Sequence, residues 1–381
     1  MKLLHLADLH LGKAVNEFSM IEDQRDMLLE KIVPLVRAQG IGAVLIAGDV
    51  YDKRQPSEAA VKLLDDFLSA LAETEAAVFL ISGNHDSDER LNFGSRLFRS
   101  RNIHIVGKYE GSVPEVVLED EWGPVHFWLL PFVKASVVSH YHPEEEIADY
   151  ETAVQVALRM ATVDASERNV ILAHQFVAGS GDPELAGSEM AVASVGNVER
   201  VSSRVFDAFD YAALGHIHRP QSVGRDTVRY AGSPLKYSLR EINDTKSAPL
   251  VTLGKKGEIA VDFVPLTPLH EMRQIRGTLD KLLRAGADGC REDYIYAILT
   301  DETPIPDAMA LLREVYPNAM KLDYDNSHTK NLASLPELSD LEARGFEDIF
   351  RDFYQAQIGG EPGPEEWDIM RRLAREAGVM E

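Results

Sequence analysis

Five short apolar runs in this chain each stop at acids, amides or histidines, and that repetition constrains the fold more than any other feature. The runs are Leu3 to Ala7, Ala43 to Ala47, Ala77 to Ser82, Val170 to Ala173 and Tyr211 to Leu214. Their length and apolar continuity predict buried strands. Helix-like stretches lie between the first of them, Gln24 to Ala38, Ser57 to Ala72 and Asp88 to Ser100, so strand and helix alternate and the architecture is expected to be α/β. In open α/β sheets, ligands bind beyond the carboxyl ends of the strands. The polar clusters should therefore converge.

The clusters are Asp8-Leu9-His10, Gly48-Asp49-Val50-Tyr51-Asp52, Gly83-Asn84-His85-Asp86, a lone His174, and Gly215-His216-Ile217-His218. Taken singly, each is ordinary: a histidine at a strand end is usually a satisfied or exposed one. Taken together and in this order, they are hard to explain as packing. Oxygen donors and imidazoles without a thiolate suit Mn²⁺, Fe or Zn²⁺ in a hydrolytic site, and two neighbouring ions need about seven such ligands with one carboxylate shared. Residues two apart on an extended strand project to one face, which is the expectation for Asp8 with His10 and for His216 with His218. Glycine at positions 48, 83 and 215 allows a tight turn beside the donors and close approach to a phosphate.

The chain's 381 residues exceed one ordinary core, and two or three domains are expected. Pro265-Leu266-Thr267-Pro268 reads as a linker, separating a domain at 1–266 from a smaller unit of mixed helix and strand at 269–336. From Asp340, Phe346, Ile349, Phe350, Phe353 and Tyr354 fall at helical spacing. Gly359 to Pro364 breaks the pattern, and Trp367, Met370, Leu373 and Ala374 resume it, giving a helix pair over 340–381. The start of the chain lacks a signal-peptide layout and no apolar run reaches about 18 residues, so a cytoplasmic protein without a membrane span is expected. Cys290, the one cysteine, can form no internal disulfide.

Net charge is −23, which argues against nucleic acid, because DNA affinity rests on Lys and Arg. The charge is uneven, however. Gly111 to Glu199 holds three Lys/Arg against fifteen Asp/Glu, whereas Val201 to Lys256 holds nine against five. The local excess of base lies beside the last histidine cluster, and bound cations would offset several acids.

The order D-x-H, G-D-x-x-D, G-N-H-D, H, G-H-x-H resembles the calcineurin-like metallophosphoesterase superfamily. The segments Gly83 to Leu91, Gly215 to Gln221 and Ala231-Gly232-Ser233-Pro234-Leu235-Lys236-Tyr237-Ser238 are similar to its SbcD family of nuclease subunits. The resemblance implies a four-layer αββα sandwich with a small α+β cap and the C-terminal helix pair. It implies two divalent ions, Mn²⁺ by preference, with Asp8, His10 and His218 on the first, Asn84, His174 and His216 on the second, and Asp49 between them. His85 would face the scissile phosphate, steady its charge and protonate the leaving oxygen. Asp52 and Asp86 would orient histidines. Arg54, Arg90, Arg219, Lys236 and Arg240 are candidates to hold flanking phosphates.

The implied activity is a duplex exonuclease and single-strand or hairpin endonuclease, working with an SbcC-like coiled-coil ATPase that the helix pair would dock on. A homodimer is implied through the helices after Asp52 and Asp86, with Leu63, Leu64, Phe67, Leu68, Leu91, Leu97 and Phe98 as apolar surface. The region from Arg284 to Glu381 holds ten Lys/Arg against twenty-one Asp/Glu, which counts against broad DNA binding by the cap. The alternative function is hydrolysis of a small nucleotide or other phosphodiester, and the five clusters would serve either. His5, His104, His140 and His142 fall outside the pattern and are expected to be structural or solvent-facing.

Overall fold

In a computed structural model, residues 1–186, 200–286, 290–326, 345–358 and 360–378 are described. Two compact units form, Met1–Glu271 and Met272–Glu381. The first holds two six-stranded sheets. One is built from β1 (Lys2–Leu6), β2 (Ala43–Ala47), β3 (Ala77–Ile81) and β4 (Ile103–Val106), which are parallel, with β11 (Ser247–Leu253) added antiparallel beside β1 and β12 (Ile259–Pro265) antiparallel beside β11. The other takes β5 (Glu115–Asp120), β6 (Gly123–Leu130), β7 (Arg168–His174), β8 (Tyr211–Gly215), β9 (Gln221–Val223) and β10 (Arg225–Tyr230), in the order 9-10-8-7-6-5.

Alternate residues of the sheets face each other. Leu3, Leu45, Phe79 and Ile81 meet Phe127, Leu129, Val170 and Leu172 in a shared core, with the Phe79 and Phe127 rings stacked at 4.3 Å. The opposite face of the second sheet, including Trp128, Leu130, Ile171 and Leu214, packs on Val138 of α6 (Ala135–Tyr141) and on Ala153, Val154 and Ala157 of α7 (Tyr150–Met160). On the first sheet, outward residues such as Leu4, Val44, Ile46 and Leu80 are fully buried. Helical segments α1 (Ile21–Arg25) and α2 (Val33–Gln39), joined by a π-type stretch over Asp26–Ile32, and α3 (Glu58–Ala72) lie in the crossovers between its strands. The result is the expected four-layer sandwich.

Leu63, Leu64, Phe67 and Leu68 of α3 are buried, at 0 to 7% exposure. Leu64 and Leu68 line a groove together with Leu91 and Phe93. The short helices α4 (Asp88–Asn92) and α5 (Ser95–Phe98) instead leave Phe93 and Leu97 at 84% and 77% exposure.

In the second unit, β13 (Met272–Gly277), β14 (Tyr294–Leu299) and β15 (Ala319–Tyr324) form a parallel sheet. Helices α8 (Leu279–Ala285) and α9 (Ala308–Val315) share its core through Leu282 and Leu312, with Tyr316 just after α9. The strands are linked βαβαβ, so the alternation extends into this unit as well. Helices α10 (Phe346–Ile358) and α11 (Pro364–Glu376) follow. Phe350 is buried against Trp367 with ring centroids 5.1 Å apart, and Arg371 pairs with Glu347 at 2.7 Å. Of the residues at helical spacing, Phe350 closes the pair, whereas Phe353, Ile369 and Leu373 are exposed. The expected boundary near Pro336 and the start at Asp340 lie outside the described residues.

Candidate metal centre

The loops after β1, β2, β3, β7 and β8 meet at one end of the two sheets. Backbone bonds run from Asp8 N to the Gly48 carbonyl at 3.0 Å and from His10 N to the Asp49 carbonyl at 2.9 Å, so the first two loops lie side by side. Register pairs Gly215 with His174, which sets His216 beside it. The sheets approach so closely here that a Cβ on Gly215 would stand 1.9 Å from the Ala47 carbonyl oxygen, and one on Gly83 would stand 2.2 Å from Asp49 Oδ1. Only glycine fits either place.

The same-face argument for Asp8 and His10 fails. β1 ends at Leu6, and Asp8, His10, Asp49 and His216 all have left-handed backbone, with φ of 53°, 43°, 48° and 100°. Their side chains converge because the loops curl, not because an extended strand projects them together. Conformations of this kind cost about 1 to 3 kcal/mol each and persist where surrounding structure over-determines them.

Six of the donors are buried: Asp8, His10, Asp49, His174, His216 and His218. His10 Nε2 and His218 Nε2 are 3.0 Å apart, and Asp8 offers an oxygen within 4.8 Å of both rings. Asp49 Oδ2 lies 3.5 Å from His10 Nε2 and 3.4 Å from His174 Nε2, so one oxygen faces both groups. Asn84 Oδ1 lies 3.1 Å from His174 Nε2 and 3.0 Å from His216 Nδ1. His174 donates its Nδ1–H to the Ala47 carbonyl at 2.8 Å, leaving Nε2 aimed at two oxygen acceptors. Such a meeting of lone pairs needs a cation, either a proton or a metal ion. Asp8 Oδ2 points into the same buried place with no hydrogen-bond partner among the described residues.

Electrostatics agree with that demand. Burial holds His10 well below the usual histidine range and His216 at about 3, keeping both neutral; neutral imidazole is the form that binds metal. Burial pushes Asp8 up to about 6 against the pull of His174 and His218. It also works against charge on Asp49 and His174, but their attraction for one another prevails: Asp49 stays well below the usual carboxylate range and His174 rises to about 9. The donor set fits two divalent cations.

His85 is exposed at the rim of this cluster. Its backbone N–H donates to Asp49 Oδ1 at 2.9 Å, and its ring Nδ1–H donates to the Asp52 carbonyl at 2.9 Å. The Asp52 carboxylate accepts from Lys13 at 2.8 Å and stands 3.7 Å from His10 Nδ1, beyond direct hydrogen-bond range. Asp86 does not orient a histidine. Its Oδ2 accepts from the amides of Val50 at 3.0 Å and Gly83 at 2.8 Å, and its Oδ1 from Tyr51 at 2.9 Å. It ties the second ligand loop to the third.

Arg219 and Lys236 depart from the expectation of free phosphate binders. Arg219 is held by both oxygens of Asp244 and by Glu184; Lys236 is held by Glu271 and the Ile242 carbonyl, each at 2.7 Å. Both cations lie next in sequence to the chemistry, but carboxylates already occupy them. Arg54 and Arg90 are exposed, and Arg90 lines a groove of about 1040 Å³ beside Phe93.

Sequence reasoning missed three polar side chains behind the donors. Buried Lys246 donates to Glu241, to Ser233 Oγ and to the His218 carbonyl, and Glu241 Oε1 lies 3.7 Å from His218 Nδ1. Buried Gln24 binds the loop of His10. Its one sequence signal is a polar residue on the apolar stripe of Met20, Met27 and Leu28. Nothing local marks Glu241 or Lys246.

Residues 1–220 match the family model of calcineurin-like phosphoesterases, and residues 268–357 match that of the type 5 capsule protein repressor C-terminal domain. The chain is 31% identical over 362 residues to the SbcD component of the nuclease SbcCD from Staphylococcus epidermidis, an alignment covering 93% of each. Among solved structures it is similar to GAP50, the anchor in the inner membrane complex of Plasmodium, at 11% identity and TM-score 0.39 over 70% of this chain and 85% of that one. It is also similar to a dimetal phosphatase from Danio rerio, at 13% identity and TM-score 0.37 over 70% and 98%.

Proposed function

Given that the chain belongs to the SbcD branch of the calcineurin-like phosphoesterase family, a family of metal-dependent hydrolases, we propose that it cuts DNA as the nuclease subunit of an SbcCD-type complex. The observation that carries this reading is His85, exposed at the rim of a donor set in which Asn84 is half-buried and the other six are buried. Asp8, His10 and His218 would hold one ion, Asn84, His174 and His216 the other, and Asp49 both. Two bound ions, Mn²⁺ by this reading, would supply positive charge for the phosphate and acidity for a water. Imidazole and carboxamide donors favour such an ion over Mg²⁺.

His85 would work at the solvent side. With Nδ1–H committed to the Asp52 carbonyl, Nε2 is the nitrogen left to meet the substrate. Carrying a proton, it would steady charge on the phosphate and pass that proton to the leaving oxygen. Exposed Arg54 would hold a flanking phosphate.

The helix pair α10 and α11 would dock on an SbcC-like coiled-coil ATPase through Phe353, Ile369 and Leu373, apolar groups at helical spacing. No helix of the described residues is long and apolar enough to cross a membrane. The groove between α3 and α4, lined by Val61, Phe93 and Phe98 and with exposed Leu97 on the adjoining α5, would pack against the same surface of a second copy. Exposed apolar patches of this kind mark interaction sites. Phe93→Glu with Leu97→Glu should convert the dimer to a monomer in light scattering at micromolar concentration; a wild-type monomer there would refute the dimer.

A substrate panel with Mn²⁺ tests the function: linear duplex DNA, single-stranded DNA, bis-p-nitrophenyl phosphate and cyclic nucleotides, each with and without the ATPase. Cutting of DNA, stimulated by ATP when the partner is present, is expected. Turnover confined to cyclic nucleotides would overturn the reading in favour of a small-substrate phosphodiesterase.

A further inference from the structure

We propose that Gln24 and Tyr237 form a clamp that sets the position of the Asp8–His10 loop and, through it, the affinity of the ion held with His218. They are positioning residues, and the inference rests on the reading of Asp8, His10 and His218 as ligands. Gln24 is 2% exposed, yet its amide spends nothing on its own helix. Nε2 donates to the His10 carbonyl at 2.8 Å and lies 3.2 Å from the Leu9 carbonyl and 3.0 Å from Tyr237 Oη, while Oε1 accepts from Gly12 N at 2.9 Å. The Tyr237 hydroxyl donates to the Leu9 carbonyl at 2.5 Å, which leaves its lone pairs for Gln24. Burial raises the Tyr237 hydroxyl far above its ordinary value, so it remains a donor.

Apart from the bond that joins the two side chains, every one of these bonds ends on the backbone between Leu9 and Gly12. That stretch includes His10 and directly follows Asp8, both in left-handed conformations that L-residues leave readily. The Tyr237 ring also stands edge-on to His10 at 5.7 Å and to His218 at 6.0 Å. One aromatic group thus stands against both imidazoles of the first donor group, and one amide pins the loop that carries His10 and follows Asp8. A core role would be met by an aliphatic side chain at position 24; an amide with every polar atom directed at the ligand loop is needed only if that loop must be held in place. Outer partners of metal ligands commonly govern affinity by about 10- to 100-fold.

The test is Mn²⁺ titration by calorimetry into the full-length, metal-free protein, beside its metal-free melting temperature. Wild type is expected to show two binding events. Tyr237→Phe, which keeps the ring and removes only the hydroxyl, should weaken one event by about tenfold, leave the other unchanged and leave metal-free melting within about 2 °C. Gln24→Leu should weaken the same event by about 10- to 100-fold. If both variants bind both ions with wild-type affinity, the inference is overturned while the ligand assignment stands. Equal weakening of both events together with lower metal-free melting in Tyr237→Phe would also overturn it, as plain loss of packing. A wild type that takes up no Mn²⁺ would sink the ligand assignment itself, and this inference with it.

Discussion

Gly215→Ala should disable one ion position by moving a ligand's support, without removing any ligand. An added Cβ would meet the Ala47 carbonyl oxygen at 1.9 Å and His174 Nδ1 at 2.8 Å. Real Cβ atoms essentially never come closer than 3.0 Å, so the two sheet ends must separate by about 1.1 Å merely to reach that floor. Overpacking of this kind costs about 1 to 3 kcal/mol, occasionally more, and a rigid carbonyl cannot swing aside as a side chain tip would. At about 2 to 4 °C per kcal/mol for a unit of this size, melting should fall by about 2 to 12 °C. The displaced carbonyl is also the acceptor that aims His174, so Mn²⁺ affinity at the Asn84, His174 and His216 position should drop by about 10- to 100-fold. Thermal melting of the metal-free protein and Mn²⁺ calorimetry read the two effects separately. Gly181→Ala, where an added Cβ meets nothing within 4 Å, is the control and should shift stability by no more than about 0.5 kcal/mol. Melting within about 2 °C of wild type and unchanged Mn²⁺ binding in Gly215→Ala would refute the reasoning.

Asp49→Ala should abolish loading of both ions, whereas His85→Ala should keep them and lower turnover by roughly two to four orders of magnitude; loss of both ions in the second variant would move His85 from catalysis to coordination. Metal uptake should release protons. With its pKa raised to about 9, His174 stabilises the metal-free fold fully below the free-imidazole value near 6.5 and loses that contribution as pH rises through 9. Mn²⁺ competes with that proton, so apparent affinity should climb by about tenfold per unit from pH 7 to 9, and Asp8, raised to about 6, should steepen the fall in acid. Calorimetry in buffers of different ionisation enthalpy that finds no proton release would refute this. Phe353→Ala with Ile369→Ala should weaken binding of the coiled-coil ATPase by tens of fold, the scale of lost interface anchors, with Mn²⁺-dependent hydrolysis of bis-p-nitrophenyl phosphate unchanged; equal ATPase binding in a pull-down would place the interface elsewhere.

The candidate donor groups are read easily from sequence because donor chemistry is a property of the residue itself, and because an apolar run that ends in such residues locates a strand end. Asp8, His10, Asp49, Asn84, His174, His216 and His218 are legible for that reason, and so is the α/β alternation. Charge on Arg219 and Lys236 is equally visible. Whether it is free is not, since Asp244, Glu184 and Glu271 become their partners only when the chain folds. Phe350 and Phe353 are identical residues three apart on one helix, yet one is buried on Trp367 and the other is exposed; helical spacing does not say what the far side of a turn will meet.

Sequence by itself thus determined the chemistry available and the strand ends that carry it, because both are set by residue type and by apolar runs of a few residues. Tertiary structure decided how the donors face each other. The left-handed turns at Asp8, His10 and Asp49 exist because neighbouring loops and Gln24 hold them, and Gln24 meets Tyr237 from 213 positions away. The two sheets close on His174 only because residue 215 lacks a Cβ. Each of these is a contact between segments distant in the chain, settled by the packing of two sheets, and no local pattern encodes it.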